Sequence, residues 1–440
     1  MTERQVHDAR PHRETFSSRW GMILSLLGVA IGLGNFWRFP YMMGIFGGGA
    51  FLAIYLVVVL AFGVPAMLAE LALGRATRRG PVQALEHSGL PAGKAVGVLL
   101  FVSVAMAMTY YLVVLGWLLA FFVVSLGSVV GAAELTPETF GALHSRWPLQ
   151  MLCSALVAAA AAAVVSRGVR AGIERTSRLF LPLFGALTVF LAAWALTLPG
   201  AGDALTYMFT VDLAALTPRA VMAAVGQAFF SLGLGGTFLV IYGSYLPDDA
   251  PLSRRAFTTA AGDVGASLLG VLVIMPVAFS YGLSPNSGPP LLFEVLPVAF
   301  RQMPGGALFG ALFFLGLTCI AFLSGVAAIE VLVGTLVDLR GWARGRTAWL
   351  VSAVLVVMGL PAMLSIDYIV LSDLLWGSTM QPIGSVAAMS ALAWGLGRRV
   401  ARQQLEYQGS VPFWIDYWIF SIKYVVPGAV IIALLSGWFG

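Results

Sequence analysis

Val29-Ala30-Ile31-Gly32-Leu33-Gly34-Asn35-Phe36-Trp37-Arg38-Phe39-Pro40 places two glycines, an asparagine and an arginine inside a run otherwise apolar enough to cross a membrane. A helix that breaks in hydrocarbon exposes backbone N–H and C=O groups, so it persists only where protein, water or a ligand satisfies them. A binding site at the break is the first expectation.

The rest of the chain fits that setting. Hydrophobic residues make up 59% and charged residues 10%, with a mean hydropathy of +0.91, whereas a soluble domain carries about 25% charged residues. The chain reads as an all-α integral membrane protein. Apolar windows of about 20 residues place eleven transmembrane helices near 20–42, 49–73, 95–127, 148–166, 174–198, 219–246, 256–283, 305–337, 346–365, 368–396 and 414–438.

Charge orients these spans. With a cytoplasmic N-terminus, Arg4, Arg10, Arg13, Arg19, Arg75, Arg78, Arg79, Lys94, Arg167, Arg170, Arg175, Arg178, Arg254, Arg255, Arg340, Arg344, Arg346, Arg398, Arg399 and Arg402 fall inside. Only Arg146, Arg219 and Arg301 fall outside, as the positive-inside rule requires, and the C-terminus is then outside. A multi-pass protein of the cell inner (plasma) membrane is expected. The net charge of +5 is spread over separate turns, so no nucleic-acid partner is implied. The first eighteen residues are polar and precede a span too long for a signal-peptide core, so no cleaved leader is expected. Cys153 and Cys319 fall inside spans and read as small buried residues, and His7, His12, His87 and His144 fall in loops or tails. No nucleophile with a base, metal cluster or phosphate loop points to an enzyme.

Three longer external segments are expected at 128–147, 199–218 and 284–304. In the last, an apolar stretch from Pro290 to Phe300 lies between proline- and glycine-rich flanks and is too short to span, which suits a re-entrant or lid-like hairpin. The sixth span carries a second interruption, Gly233-Leu234-Gly235-Gly236. Two broken helices five spans apart are the pattern of an inverted-repeat transporter, with substrate and ions at the midplane between them.

Specific motifs accompany that pattern. Ser18-Arg19-Trp20-Gly21, Gly32-Leu33-Gly34-Asn35-Phe36-Trp37-Arg38-Phe39-Pro40, Gly47-Gly48-Gly49-Ala50-Phe51, Glu70-Leu71-Ala72-Leu73-Gly74-Arg75, Gly172-Ile173-Glu174-Arg175 and Gly226-Gln227-Ala228-Phe229-Phe230-Ser231-Leu232-Gly233 are together similar to the neurotransmitter:sodium symporter family. The resemblance covers spans one to ten. It implies the LeuT fold, a 5+5 inverted repeat (19–200 and 218–397) preceded by a cytoplasmic tail (1–18) and followed by one extra helix (413–438). It also implies a sodium-coupled symporter that imports an amino acid by alternating access.

The resemblance assigns residues as follows. The substrate carboxylate would meet the N–H groups near Leu33 and Gly34, where a positive helix end suits an anion, and the hydroxyl of Tyr111. The amine would meet carbonyls of Ala30, Phe230 and Ser231, with Gly233 standing where the family has a serine. Ala107, Gly236 and Ala328 would line the side-chain end at positions where a leucine-binding member is bulkier. An unfilled apolar pocket forgoes about 0.8 kcal/mol per methylene, so a bulky neutral hydrophobic or aromatic amino acid is expected. Val29 and Phe322 are the neighbours that would otherwise fill the space.

Two sodium ions are implied. The first would take the Ala30 carbonyl, the Asn35 amide oxygen, Ser231 and Asp263. Family members often carry Asn where Asp263 stands, and chloride-dependent members obtain comparable charge from a bound anion, so chloride independence is expected. The second would take carbonyls of Gly28, Ile31 and Ile320 and the hydroxyl of Ser324. Its paired hydroxyl falls on Leu323, or on Gly325 if the register slips by one, so either register lacks a ligand.

Arg38 and Asp373 resemble an outer gate above a Tyr111 and Phe230 lid, and Arg13 and Asp338 an inner one. Gly172 and Pro182 fit either local unwinding near the second ion or an ordinary proline kink. Glu70 and Gln227 are read as polar struts near the outer gate, while Glu330, Asp416 and Lys423 have no partner assigned. Span eleven is left to packing or to a homodimer contact. A sodium-dependent sensor with little net flux is the alternative to transport, resting on the incomplete second ion site.

Overall fold

Arg19–Ala30 (α1) begins where Ser18, in extended conformation, accepts the Gly21 N–H through its side chain at 2.9 Å, an ordinary N-cap. The computed structural model describes residues 13–136, 138–283 and 292–439. Arg4, Arg10, His7 and His12 of the tail, and residues 284–291 of the hairpin expected at 284–304, lie outside the described residues.

The helix α1 stops at Ile31, whose backbone is extended, and a second helix, Gly34–Ile45 (α2), continues at an angle of 50°. Then follow Gly49–Thr77 (α3), Gly93–Val129 (α4), Trp147–Ser166 (α5) and Val169–Ala195 (α6). The sixth expected span is also two pieces, Pro218–Ser231 (α7) and Phe238–Ser244 (α8). The remainder comprises Leu252–Ser280 (α9), Gly306–Arg340 (α10), Arg344–Leu364 (α11), a helical run over 366–396 (α12), Gly397–Leu405 (α13) and Ile415–Leu435 (α14).

Among the described residues eight helices are long and apolar enough to cross a bilayer, and the bent pair α1–α2 makes nine. The expected spans at 219–246 and 368–396 are helical but do not meet that test, the first because its break leaves two short pieces. So the structure stands at nine spans by length and composition against the eleven expected.

Close approach of backbones holds the bundle, as in membranes generally, where small residues sit at helix contacts. Gly74 of α3 lies against the Val240 carbonyl of α8, and Gly243 of α8 against Leu71 of α3. The two longest helices, α4 and α10, pack along one another at the centre. The short helix Val295–Gln302 packs on α10, with Phe300 against Phe309, Phe313 and Phe314. Phe293 just before it joins Trp117, Phe121 and Phe140. The described part of this segment, from residue 292, holds the one helix Val295–Gln302, with Leu296, Pro297, Ala299 and Phe300 buried. Cys153 and Cys319 are buried and free.

Intramembrane charges find partners. Glu330 accepts from Tyr245 and pairs with Arg344, Asp416 pairs with Arg398 at 2.8 Å, and the Lys423 ammonium lies 3.9 Å from the Trp394 ring centroid. Buried charge is tolerated only with such compensation.

Candidate functional site

The break between α1 and α2 redirects a hydrogen bond. The Gly32 N–H, which a continuous helix gives to the Gly28 carbonyl, goes instead to Asn35 Oδ1 at 2.8 Å. The Gly28 carbonyl is left without its helical donor, and the N–H groups at the start of α2, near Leu33 and Gly34, face the gap.

The other end of the Asn35 side chain meets a cluster of oxygens. Its Nδ2 lies 3.1 Å from Ser231 Oγ, 3.0 Å from the Asp263 carbonyl, 2.7 Å from Asp263 Oδ1 and 2.8 Å from Ser267 Oγ. An amide nitrogen carries two hydrogens, so four oxygens are two too many for it. Ser231 also donates to Asp263 Oδ1 at 2.8 Å, and Tyr55 donates to Oδ2 at 3.0 Å. Asn35, Ser231, Asp263, Ser267 and Tyr55 are all buried. A surplus of acceptors around one point, one of them a carboxylate, is electrostatically a cation site. One detail departs from expectation: the amide end facing Ser231 and Asp263 is the nitrogen, while the oxygen serves Gly32.

The structure adds Tyr55 and Ser267 to this cluster. Ser267 follows Asp263 by four residues and so shares its helix face, a signal available in the sequence. Tyr55 sits in a plain apolar run, and only the packing of α3 on α9 reveals it.

At the second expected ion position, Ser324 Oγ donates to the Ile31 carbonyl at 3.4 Å. A β-carbon on Gly32 would lie 2.8 Å from Ser324 Oγ, and one on Gly28 would lie 3.2 Å from Leu323 Cδ1. Gly325 faces Leu115 and Met108 of α4 instead. The register is thus the one in which Leu323 and Ser324 both face α1, with Ile320 one turn before Ser324. Tyr111 donates to the Ala321 carbonyl at 3.3 Å and adjoins the Ser324 hydroxyl.

The second break needs glycine. Gly233 and Gly236 have φ of +64° and +67°, a region that costs other residues about 1–2 kcal/mol. A β-carbon on Gly233 would lie 3.2 Å from Val29 Cγ1, and one on Gly236 would strike the Gly384 carbonyl of α12. The room expected from the missing Gly236 side chain is therefore taken by backbone. Ala107 does border open space, a cavity of about 20 Å³ shared with Gly235, Trp376 and Gln381, enough for about one water. Ala328 is buried on α10 one turn after Ser324.

Glu70 accepts the Gly235 N–H at 3.0 Å, so it supports the α7–α8 break rather than the outer end. Gln227 donates to the Gly34 carbonyl at 3.0 Å, tying the two breaks together.

The gates differ from one another. Among the described residues Arg38 and Asp373 make no ion pair; the Arg38 guanidinium lies 4.8 Å from the Phe230 ring centroid and Tyr110 donates to Asp373 at 2.8 Å. Arg13 and Asp338 do pair, at 2.6 Å. Burial opposes the Arg13 charge, yet Tyr245 and Asp338 outweigh it and raise its pKa above the ordinary value. Beside this pair Glu14 accepts the N–H groups of Val169 and Arg170 at 2.9 Å each, and Glu174 accepts from Ser17 and Arg178. These two carboxylates, Glu174 quoted above only as part of a motif and Glu14 not singled out in the sequence, stitch the tail to the start of α6.

Two facing broken helices, with carbonyls and a buried carboxylate converging between them, define an ion-coupled secondary transporter. The family model described as the sodium:neurotransmitter symporter family matches residues 13–136 and 138–438. The uncharacterised sodium-dependent transporter YhdH of Bacillus subtilis is 32% identical over 96% of this chain and 97% of its own. A mouse sodium-dependent neutral amino acid transporter, B(0)AT3, is 31% identical over 61% of this chain and 48% of its own. The crystal structure of MhsT in complex with L-phenylalanine aligns with a TM-score of 0.86 and 32% identity, covering 97% of this chain and 100% of that one. The chain belongs to the sodium:neurotransmitter symporter family. It has the LeuT fold and is a sodium-dependent membrane transporter of a small molecule, not an enzyme.

Proposed function

We propose that this symporter imports a bulky neutral hydrophobic or aromatic L-amino acid with sodium, without chloride. The observation that carries the ion side is the buried cluster at Asp263, where four oxygens crowd one amide nitrogen and one of them is a carboxylate. Sodium there joins the Ala30 carbonyl, Asn35, Ser231 and Asp263 once the Asn35 amide turns its oxygen inward. The carboxylate supplies the negative charge, so no anion is needed. The second ion takes Gly28, Ile31, Ile320 and Ser324.

The amino acid lies with its carboxylate on the N–H groups of Leu33 and Gly34 and on Tyr111, and its amine on Ala30, Phe230 and Ser231. Its side chain points past Gly233 and Gly236 toward Ala107 and Ala328. A phenylalanine-bound neighbour and a relative named for neutral amino acids support that substrate class. Spans one, two, six and seven rock against a scaffold formed by the other spans, with Arg38 and Asp373 closing the outer path and Arg13 and Asp338 the inner. Span eleven, 413–438, lies outside the repeat and offers a homodimer contact. The positive-inside distribution supports an inner-membrane protein with its N-terminus in the cytoplasm and its C-terminus outside.

Sodium-dependent thermal stabilisation across an amino-acid panel tests the substrate class. L-Phenylalanine, L-tryptophan and L-leucine are expected to raise Tm in sodium but not in potassium. Equal shifts with glycine or glutamate contradict the assignment.

A further inference from the structure

The second ion position lacks a hydroxyl at Leu323, and the neighbouring helix α6 brings one to the same place. A β-carbon on Gly28 would lie 3.6 Å from Ser177 Oγ as well as 3.2 Å from Leu323 Cδ1. Ser177 is 2% exposed. Thr176 and Thr188 on the same helix spend their hydroxyls on carbonyls of the preceding turn, whereas the Ser177 hydroxyl is turned toward Gly28 of α1. Ser25, one turn before Gly28 on α1, is buried with no hydrogen-bond partner for its Oγ. Buried hydroxyls without partners are uncommon in folded proteins and mark an absent water or ion. Ser25 lies one turn before Gly28 and Ser177 Oγ lies against Gly28, and the Gly28 carbonyl is itself deprived of its helical donor by the turn of Gly32 toward Asn35.

We infer that Ser177 is a ligand of the second sodium ion, replacing the hydroxyl that Leu323 cannot supply. The ion would rest between the carbonyls of Gly28 and Ile31 on α1, the Ser324 hydroxyl on α10 and the Ser177 hydroxyl on α6. This rests on the reading of the protein as a two-sodium symporter, and it moves one ligand from α10 to α6. A compact cation prefers oxygen to a δ-methyl group, so the site is completed from the side that has oxygen. Because α6 begins with an irregular turn at Val169–Glu174, a ligand there makes the ion sensitive to that end of the helix.

Equilibrium binding of tritiated L-phenylalanine to the purified full chain, titrated with sodium gluconate at constant ionic strength, tests the assignment. Wild type is expected to show a sodium Hill coefficient of about two, and Ser177→Ala a coefficient of about one with half-saturation raised about tenfold. The double variant Ser177→Ala, Leu323→Thr restores a hydroxyl from the other helix and should return the titration to within about threefold of wild type. The Tm of each variant, measured without sodium, identifies any loss of fold. A folded Ser177→Ala protein whose sodium titration superimposes on wild type overturns the inference, as does failure of the folded double variant to recover. A wild type that binds phenylalanine with no sodium dependence contradicts the symport reading itself.

Discussion

Asp263 is buried in an apolar helix, and its two oxygens accept from Asn35, Ser231 and Tyr55. A carboxylate in that position is costly unless a cation compensates it, which supported in the sequence the ion-ligand role that the family resemblance assigns to it. Tyr55 was not readable, because nothing in its own neighbourhood separates it from a packed aromatic. If the carboxylate replaces an anion, Asp263→Asn should lower sodium-driven uptake about tenfold in gluconate and recover most of it in chloride. Equal uptake in the two salts contradicts the role.

Tyr111 offers a second residue-level check. Its hydroxyl now reaches the Ala321 carbonyl, a partner it would exchange for a substrate carboxylate. Tyr111→Phe is expected to weaken amino-acid binding by about 10- to 100-fold, the loss of one hydrogen bond to a charged group, while leaving Tm without substrate within a degree or two. Unchanged affinity would remove Tyr111 from the site.

At the scale of elements, the two helix breaks were legible because glycine pairs in an apolar run leave few alternatives. What fills the space beside them was not, since that depends on helices far away in the chain. Gly236 shows the difference: its missing side chain reads as pocket in sequence, yet α12 brings the Gly384 backbone into that volume. Gly236→Ala therefore should act on the break and not on selectivity, combining a disfavoured φ with a backbone clash. The expected result is a Tm several degrees lower and loss of binding for every amino acid alike. A folded variant that merely prefers smaller substrates would restore the pocket reading.

The tail is the other element whose role emerged only in three dimensions. Arg13, Glu14 and Ser17 reach α10 and α6 through Asp338, Val169 and Glu174. The pair is largely buried, and removing one partner of such a pair costs more than breaking an exposed one, so Arg13→Ala is expected to speed amide exchange over residues 13–18 by about fivefold or more. Exchange that stays at the wild-type rate would mean the pair does not hold this end closed.

For the whole molecule, composition and window hydropathy were sufficient to locate the long apolar helices within about five residues, because lipid forces backbone hydrogen bonds to close within each segment, but not the short helices between them, such as Pro81–Glu86, Glu138–His144 and Ala201–Phe209. Nine spans meet the length and composition test among the described residues, and the sixth escapes it for the reason that interests function: interruption.

Coupling is the property that all these parts serve, and it separates a transporter from a sensor built on the same cluster. Purified protein in potassium-loaded proteoliposomes, given an inward sodium gradient and labelled L-phenylalanine, measures it directly. The expected result is uphill accumulation that is abolished when potassium replaces external sodium and is retained when gluconate replaces chloride. Sodium-dependent binding of phenylalanine without any accumulation would contradict coupled import.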